Sequence, residues 1–248
     1  MLGAGLVLAL AQPAQAAVEH PSVRPRALLD ILHADPGSGS KATTRPVGSP
    51  PLSDAEAAAR VRRSSFEPRP GNTKYNQTMP TAAQLAMWNV NPDKSGFESN
   101  TRVTGRFTGT TDEILQWAAH KWGFDEDVFR AVAANESWWH QTAGGADQQG
   151  GGLMSPTWSQ HLGSLPIGMA STAFNVDWFA ATMRFYFDGG ATWFNDVERG
   201  RQYSAGDFWG CIGAWYAGRW HTAGAERYVS EVRHWLRQRV WAQEWFDR

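Results

Sequence analysis

A single cysteine, Cys211, among 248 residues excludes an internal disulfide framework, so packing has to hold the chain together. It lies in an apolar, glycine-rich stretch that suits a small buried side chain. A surplus of charge is missing as well. The chain has 23 Lys and Arg against 24 Asp and Glu, for a net charge of -1 and a pI near 6.7. That leaves no basic stripe for nucleic acid and no general attraction to anionic membranes. Long apolar runs are absent too: the longest, at the N-terminus, falls well short of the roughly 18 residues a spanning helix needs, so no integral membrane span is expected. HExxH, paired CxxC, P-loop and GxSxG patterns do not occur. His140, His161, His221 and His234 are not at ligand spacing, so neither a metal nor a cofactor is expected.

Aromatic residues are nearly missing from one region. Between residue 17 and Tyr75 there is only Phe66, whereas all fourteen tryptophans fall between Trp88 and Trp245. One globular domain in the C-terminal part is expected, running from about Gly71 to the end and long enough to bury a core. The opening MLGAGLVLALAQPAQA is an apolar run ending in Ala14-Gln15-Ala16, a small-x-small pattern that predicts a signal peptide over residues 1–16, although a positive start is missing. Export to the cell envelope or medium follows. Residues 17–70 are rich in Pro, Ser, Ala and Arg, which predicts a disordered linker, with RALLDIL and SDAEAAARVRR at best isolated, marginal helices.

Within the domain, Thr110-Thr111-Asp112-Glu113 is a capping-box pattern ahead of ILQWAAHKW, and Gly123 stops that helix. Asp125 then caps DEDVFRAVAANESWW, whose acidic first turn suits the positive end of the helix dipole. At 100° per residue, Val128, Phe129, Val132, Glu136 and Trp139 share one sector about 100° wide. Glu136 therefore lies inside an apolar stripe. Loss of water would raise its pKa above the roughly 4.3 of a free Glu and fit it to donate a proton as a general acid. The alternative is a helix that frays near Trp138, leaving Glu136 in solvent or paired with an arginine. Next comes TAGGADQQGGGLMSPTW, whose five glycines make it a loop, either a substrate wall beside the acid or a plain surface connection.

Five blocks in order, ESWW, GGLM, STAFNVDWFAATMRFYFDG, DFWGCIGAWYAGRW and AERYVSEVRHWL, resemble the lysozyme-like superfamily, and within it the soluble lytic transglycosylase domain of bacterial secreted proteins. In that family a helix ends in Glu-Ser and a Gly-Leu-Met-Gln segment follows. An Asn then begins another helix, an Ala-Tyr-Asn-Ala-Gly turn comes next, and a Tyr-Val segment opens a late helix. Here these match Glu136 and Ser137, then Gly152, Leu153 and Met154, then Asn175, Ala214 to Gly218, and Tyr228. The match covers residue 110 to the end. It departs at Ser155, where the family has Gln, and at Trp215-Tyr216, where it has Tyr-Asn. Both changes remove amides able to hydrogen-bond sugar groups.

The resemblance implies an all-α, lysozyme-like bundle of about six to eight helices with a cleft between two lobes. It also implies cleavage of the β-1,4 bond between N-acetylmuramic acid and N-acetylglucosamine in peptidoglycan strands, by a monomer. Glu136 would be catalytic, first acid and then base, forming 1,6-anhydromuramoyl ends. Ser137, Gly152, Leu153, Met154, Tyr216 and Tyr228 would line the substrate site, with Trp139, Trp158 and Trp215 as the better cleft tryptophans. Tyr228 could equally be a core tyrosine. A hydrolytic muramidase or a non-catalytic glycan-binding module remains an alternative. Hydrolysis normally uses a second carboxylate, for which Asp147 and Asp177 are the weak candidates. Trp117, Trp122, Trp235 and Trp241 sit in helical patterns and are expected to be structural. Apolar residues 228, 229, 232, 235, 236 and 240 predict a final amphipathic helix that closes the bundle.

Overall fold

Side-chain caps set where the helices begin. The computed structural model describes residues 44–90, 102–144, 150–156, 165–199 and 203–246, all within one compact unit, Lys41–Arg248. The expected signal peptide, the linker as far as residue 43, Asp147 and Trp158 lie outside the described residues. Among those described there are nine α-helices and no strand, so the fold is all-α: α1 (Asp54–Ala58), α2 (Thr73–Asn76), α3 (Ala82–Asn89), α4 (Thr111–Trp122), α5 (Glu126–Ser137), α6 (Leu165–Ala170), α7 (Thr172–Phe187), α8 (Phe208–Ala217) and α9 (Ala223–Gln238). Ser53, Thr81 and Thr110 each form a capping box with the residue three further on, worth about 1 kcal/mol per cap. TTDE is thus the start of α4, and Gly123, at φ 79°, is its left-handed stop.

The axis of the bundle is α7, in which every residue except Phe185 is buried. A helix enclosed on all sides belongs in the interior. Helices α4, α6 and α8 pack on it, α5 packs on α4, and α9 lies against both α8 and α5. Trp117 and Trp122 are fully buried, and Trp235 and Trp241 are half-buried against the core. Helix α9 buries Ala225, Tyr228, Val229 and Val232. It ends at Arg239 in a left-handed conformation, after which Val240 enters a buried turn. No described helix is long and apolar enough to cross a membrane.

The expected linker boundary at residue 70 needs correcting, because residues 44–70 are folded onto the helices. Arg45 N donates to Gly123 O at 2.8 Å, its guanidinium reaches Lys121 O at 2.7 Å, and Leu52 N donates to Lys121 O at 2.8 Å. Arg184 in α7 returns a bond to Pro46 O at 2.8 Å. Glu67 accepts from Thr111 N at 2.7 Å, placing a carboxylate at the positive N-terminus of α4. Arg69 is buried, and its Nε donates to Trp138 O at 2.9 Å. This belt is fixed mainly by polar side chains meeting backbone, which is why a hydrophobicity pattern passes over it.

Candidate functional site

The acid sits near the C-terminal end of α5. Asp125 caps the helix by accepting from Asp127 N and Val128 N at 2.9 and 3.3 Å. At the other end Trp138 and Trp139 are both left-handed, at φ 53° and 62°. Such conformations are costly for bulky residues and persist where neighbours enforce them. Arg69 holds Trp138 O, and Asn72 Nδ2 holds Trp139 O at 2.7 Å. The turn also corrects the expectation for Trp139. Once the helix ends at Ser137 its ring no longer follows the helical stripe. It is 2% exposed, donates from Nε1 to Arg130 O at 3.0 Å and packs on Phe246, so it belongs to the core and borders a cavity that does not include Glu136.

Glu136 is half-buried and faces α9. Tyr228, buried, donates its hydroxyl proton to Glu136 Oε1. None of the ion pairs among the described residues involves Glu136. Its ionised form is therefore poorly compensated: burial, partly offset by the Tyr228 bond and reinforced by the Glu231 carboxylate, pushes its pKa up to about 8. The group keeps a proton at neutral pH. Burial, together with the adjacent Glu136, likewise holds the Tyr228 phenol well above its usual value. The helix does not fray before Glu136, which is half-buried against α9 and forms no ion pair with an arginine among the described residues. Next to it, Asn135 Oδ1 accepts from Trp235 Nε1 at 3.0 Å, which ties α5 to α9. Tyr216 at the end of α8 stacks face to face on Tyr228, centroids 5.0 Å apart and planes at 7°, while remaining 47% exposed.

The GGLM segment comes back to the same end of α5 through its backbone. Ser137 Oγ lies 2.8 Å from Leu153 O as donor. Leu153 N donates to Gln141 Oε1 at 3.1 Å, and Met154 N to Asn175 Oδ1 at 2.8 Å. Asn175 Nδ2 also reaches Gly151 O at 3.3 Å. Gly152 is required on two counts: its φ is 83°, and a Cβ there would lie 2.3 Å from Asn175 Nδ2. Leu153 and Met154 are fully buried and Ser137 is 4% exposed. These residues therefore shape the loop next to the acid and do not present side chains to a ligand, which corrects their expected contact role. Gln141 was missed from the sequence. It is buried, and its Nε2 donates to Gly168 O at 2.7 Å. A polar residue two positions after the Trp138-Trp139 pair was the signal available.

Other candidates separate cleanly. Trp215 is half-buried edge-on against Phe179, at 4.9 Å, and is packed with the core. Asp177 is fully buried and saturated. It accepts from Thr104 N at 2.8 Å, Gly105 N at 3.0 Å, Lys121 Nζ at 2.8 Å and Trp122 Nε1 at 2.6 Å. It is a structural carboxylate, not a second catalytic one. Among the described residues no group of three or more His, Cys, Asp or Glu is placed to hold a metal ion. A cavity of about 320 Å³, lined by Arg62, Phe66, Glu126, Arg130, Arg239 and Trp241 among others, does not include Glu136. It encloses a charge network in which Glu126 meets Arg130 at 2.9 Å and Arg130 meets Asp112 at 2.6 Å.

The arrangement thus provides one carboxyl of raised pKa with a phenol on it, a partly exposed tyrosine ring next to that phenol, and a hydrogen-bonded Gly151–Met154 segment at the end of the same helix. No family model, curated protein or solved structure matches the chain.

Proposed function

We propose that the chain is an exported, lysozyme-like lytic transglycosylase that cuts the β-1,4 bond between N-acetylmuramic acid and N-acetylglucosamine in peptidoglycan. The observation that carries this reading is Glu136, a half-buried carboxyl with a phenolic donor and no ion pair among the described residues, whose pKa burial pushes up to about 8. A general acid works best when its pKa lies near the operating pH. Glu136 first gives its proton to the bridging oxygen, so that the bond from that oxygen to C1 of the muramic acid breaks and a hydroxyl leaves on the glucosamine. The resulting carboxylate then takes the proton of the 6-hydroxyl, whose oxygen closes on C1 to form the 1,6-anhydro ring. Acid and base are the same group, and no water is consumed. Tyr228 holds the carboxyl in place through both steps, and Tyr216 offers an exposed ring face for the apolar side of a pyranose.

One observation favours a hydrolytic muramidase as the second reading. Glu231 is an exposed carboxylate one turn beyond Tyr228, close enough to add to the rise in Glu136, and a second carboxylate is what water activation requires. Digestion of purified peptidoglycan with wild type and Glu136→Gln, followed by mass spectrometry of the soluble fragments, decides between them. Anhydro-muropeptides from wild type alone are expected, with a loss in the variant of at least about 100-fold. Reducing ends would assign hydrolysis, and no Glu136-dependent release would leave a glycan-binding module.

A further inference from the structure

The corner between α8 and α9 runs through Gly218, Arg219, Trp220 and His221, and His221 adopts a left-handed φ of 50°. Both of its ring nitrogens are engaged. Nε2 lies 2.5 Å from Asp207 Oδ2, and Nδ1 lies 2.5 Å from Glu226 Oε1. Carboxylate oxygens only accept, so both contacts are hydrogen bonds only when both nitrogens carry protons. A neutral ring turns a lone pair toward one of the two acids. Asp207 is the N-cap of α8, its other oxygen accepting from Gly210 N at 2.9 Å, and Glu226 stands in the first turn of α9. The imidazolium therefore fastens the starts of two packed helices to each other. Those helices carry the stacked pair, Tyr216 on α8 and Tyr228 on α9, and Tyr228 bonds Glu136.

We propose that protonated His221 is a positioning residue for the Glu136 site, a clasp at the α8–α9 corner that keeps Tyr228 seated on the acid and Tyr216 stacked beside it. As a regulator of cleavage it rests on the function proposed for Glu136; as a clasp on α9 it does not. The charged groups around it are accounted for. Asp207 and Glu226 touch the ring. Arg233 of α9 feels both of those carboxylates while lying 4.3 Å over Trp209. Arg199 is committed to Gly218 O and Arg219 to Glu198 O, and the Trp220 ring stands at 88° to the imidazole, 5.4 Å away. Burial works against the charged ring, but hydrogen bonds to Asp207 and Glu226 outweigh it and hold the pKa above 6.5. The clasp is therefore fully closed below 6.5 and opens as pH rises through that higher value.

Amide hydrogen exchange of the full chain, normalised to intrinsic rates, tests this over residues 223–238 at about pH 6 and about pH 9. A Glu136→Gln background removes the titration of that carboxyl from the comparison. In that background, α9 is expected to open roughly tenfold more often at the higher pH, the size of one charge-assisted hydrogen bond, while residues 111–122 stay unchanged. Adding His221→Gln should give the more open rate at both pH values. Glu226→Gln, which removes the more exposed partner and leaves the α8 cap intact, gives the same readout if His221→Gln does not fold. Protection of α9 that ignores both pH and these substitutions overturns the clasp. In parallel, fragment release from peptidoglycan is followed against pH in chains that retain Glu136. If α9 behaves as expected but no chain releases fragments, the clasp stands and the proposed function falls. If wild type cleaves and the His221→Gln profile superimposes on it, the positioning role falls.

Discussion

Asp177 and Glu136 are both carboxylates packed among helices, and they are treated in opposite ways. Asp177, at the centre of α7, receives two backbone N–H groups, an indole N–H and a lysine ammonium, all within 3.0 Å. Glu136, near the end of α5, receives one phenol and lies near another carboxylate. Burial alone does not distinguish them, since Asp177 is the more buried. Donors do. A carboxylate supplied with a cation and a full set of hydrogen bonds is a fastening, and one left short of them holds on to a proton. Glu126 is of the first kind. Burial pushes it up, but hydrogen bonds from His120, Arg62 and Arg130 hold it well below the ordinary carboxylate range.

The contrast can be broken most forcefully at the fastened end. Lys121→Met leaves Asp177 buried without its cation and is expected to cost about 3–5 kcal/mol, read as a lower urea midpoint. If the variant unfolds near the wild-type midpoint, Asp177 is not held as an ion pair. At the Glu136 end the effect is smaller and depends on pH. Between the unfolded value of 4.5 and about 8, the folded chain holds a proton that the unfolded chain has lost. Stability therefore falls as pH rises through that window, by at most about 1.4 kcal/mol per pH unit. Glu136→Gln removes this slope. Allowing for the water a half-buried carboxyl retains, the variant should gain about 2–3 kcal/mol on wild type between pH 5 and pH 8, measured as the difference in thermal midpoints. A constant difference across that range would mean that Glu136 ionises normally. Tyr228→Phe should have the least effect, about 1 kcal/mol. Because the phenol favours the carboxylate form, its loss should move the Glu136 titration further upward, seen as a displaced alkaline limb in fragment release or directly by NMR. A downward displacement would contradict the bond.

What the sequence made legible follows from what kind of interaction carries each feature. The starts and stops of α4 and α5 were readable because Thr110, Glu113, Gly123 and Asp125 act on backbone within a few residues of themselves. Glu136 was readable because helical geometry turned an apolar stripe into a statement about water. Trp139 was not, since the stripe holds only while the helix continues, and two successive left-handed residues end its authority. Nor were Leu153 and Met154, whose backbones rather than side chains take part, or Gln141, whose partners are 12 and 27 residues away. The belt over residues 44–70 was illegible for the same reason on a larger scale. Its anchors are single polar side chains meeting distant carbonyls, and they leave no periodic trace.

That belt also bears on the order in which the molecule assembles. Its bonds close long loops, with 76 residues between Arg45 and Lys121 and 139 between Arg184 and Arg45, whereas the capping box of α4 and the Asp125 cap of α5 form locally. Closing a loop that long has a chain-entropy cost that short-range contacts do not meet. The belt is therefore expected to dock after α4 and α5 have formed, to be checked by pulsed amide exchange over residues 44–70 against residues 111–137. The same belt reaches the acid as well, since Arg69 holds Trp138 O two residues beyond Glu136.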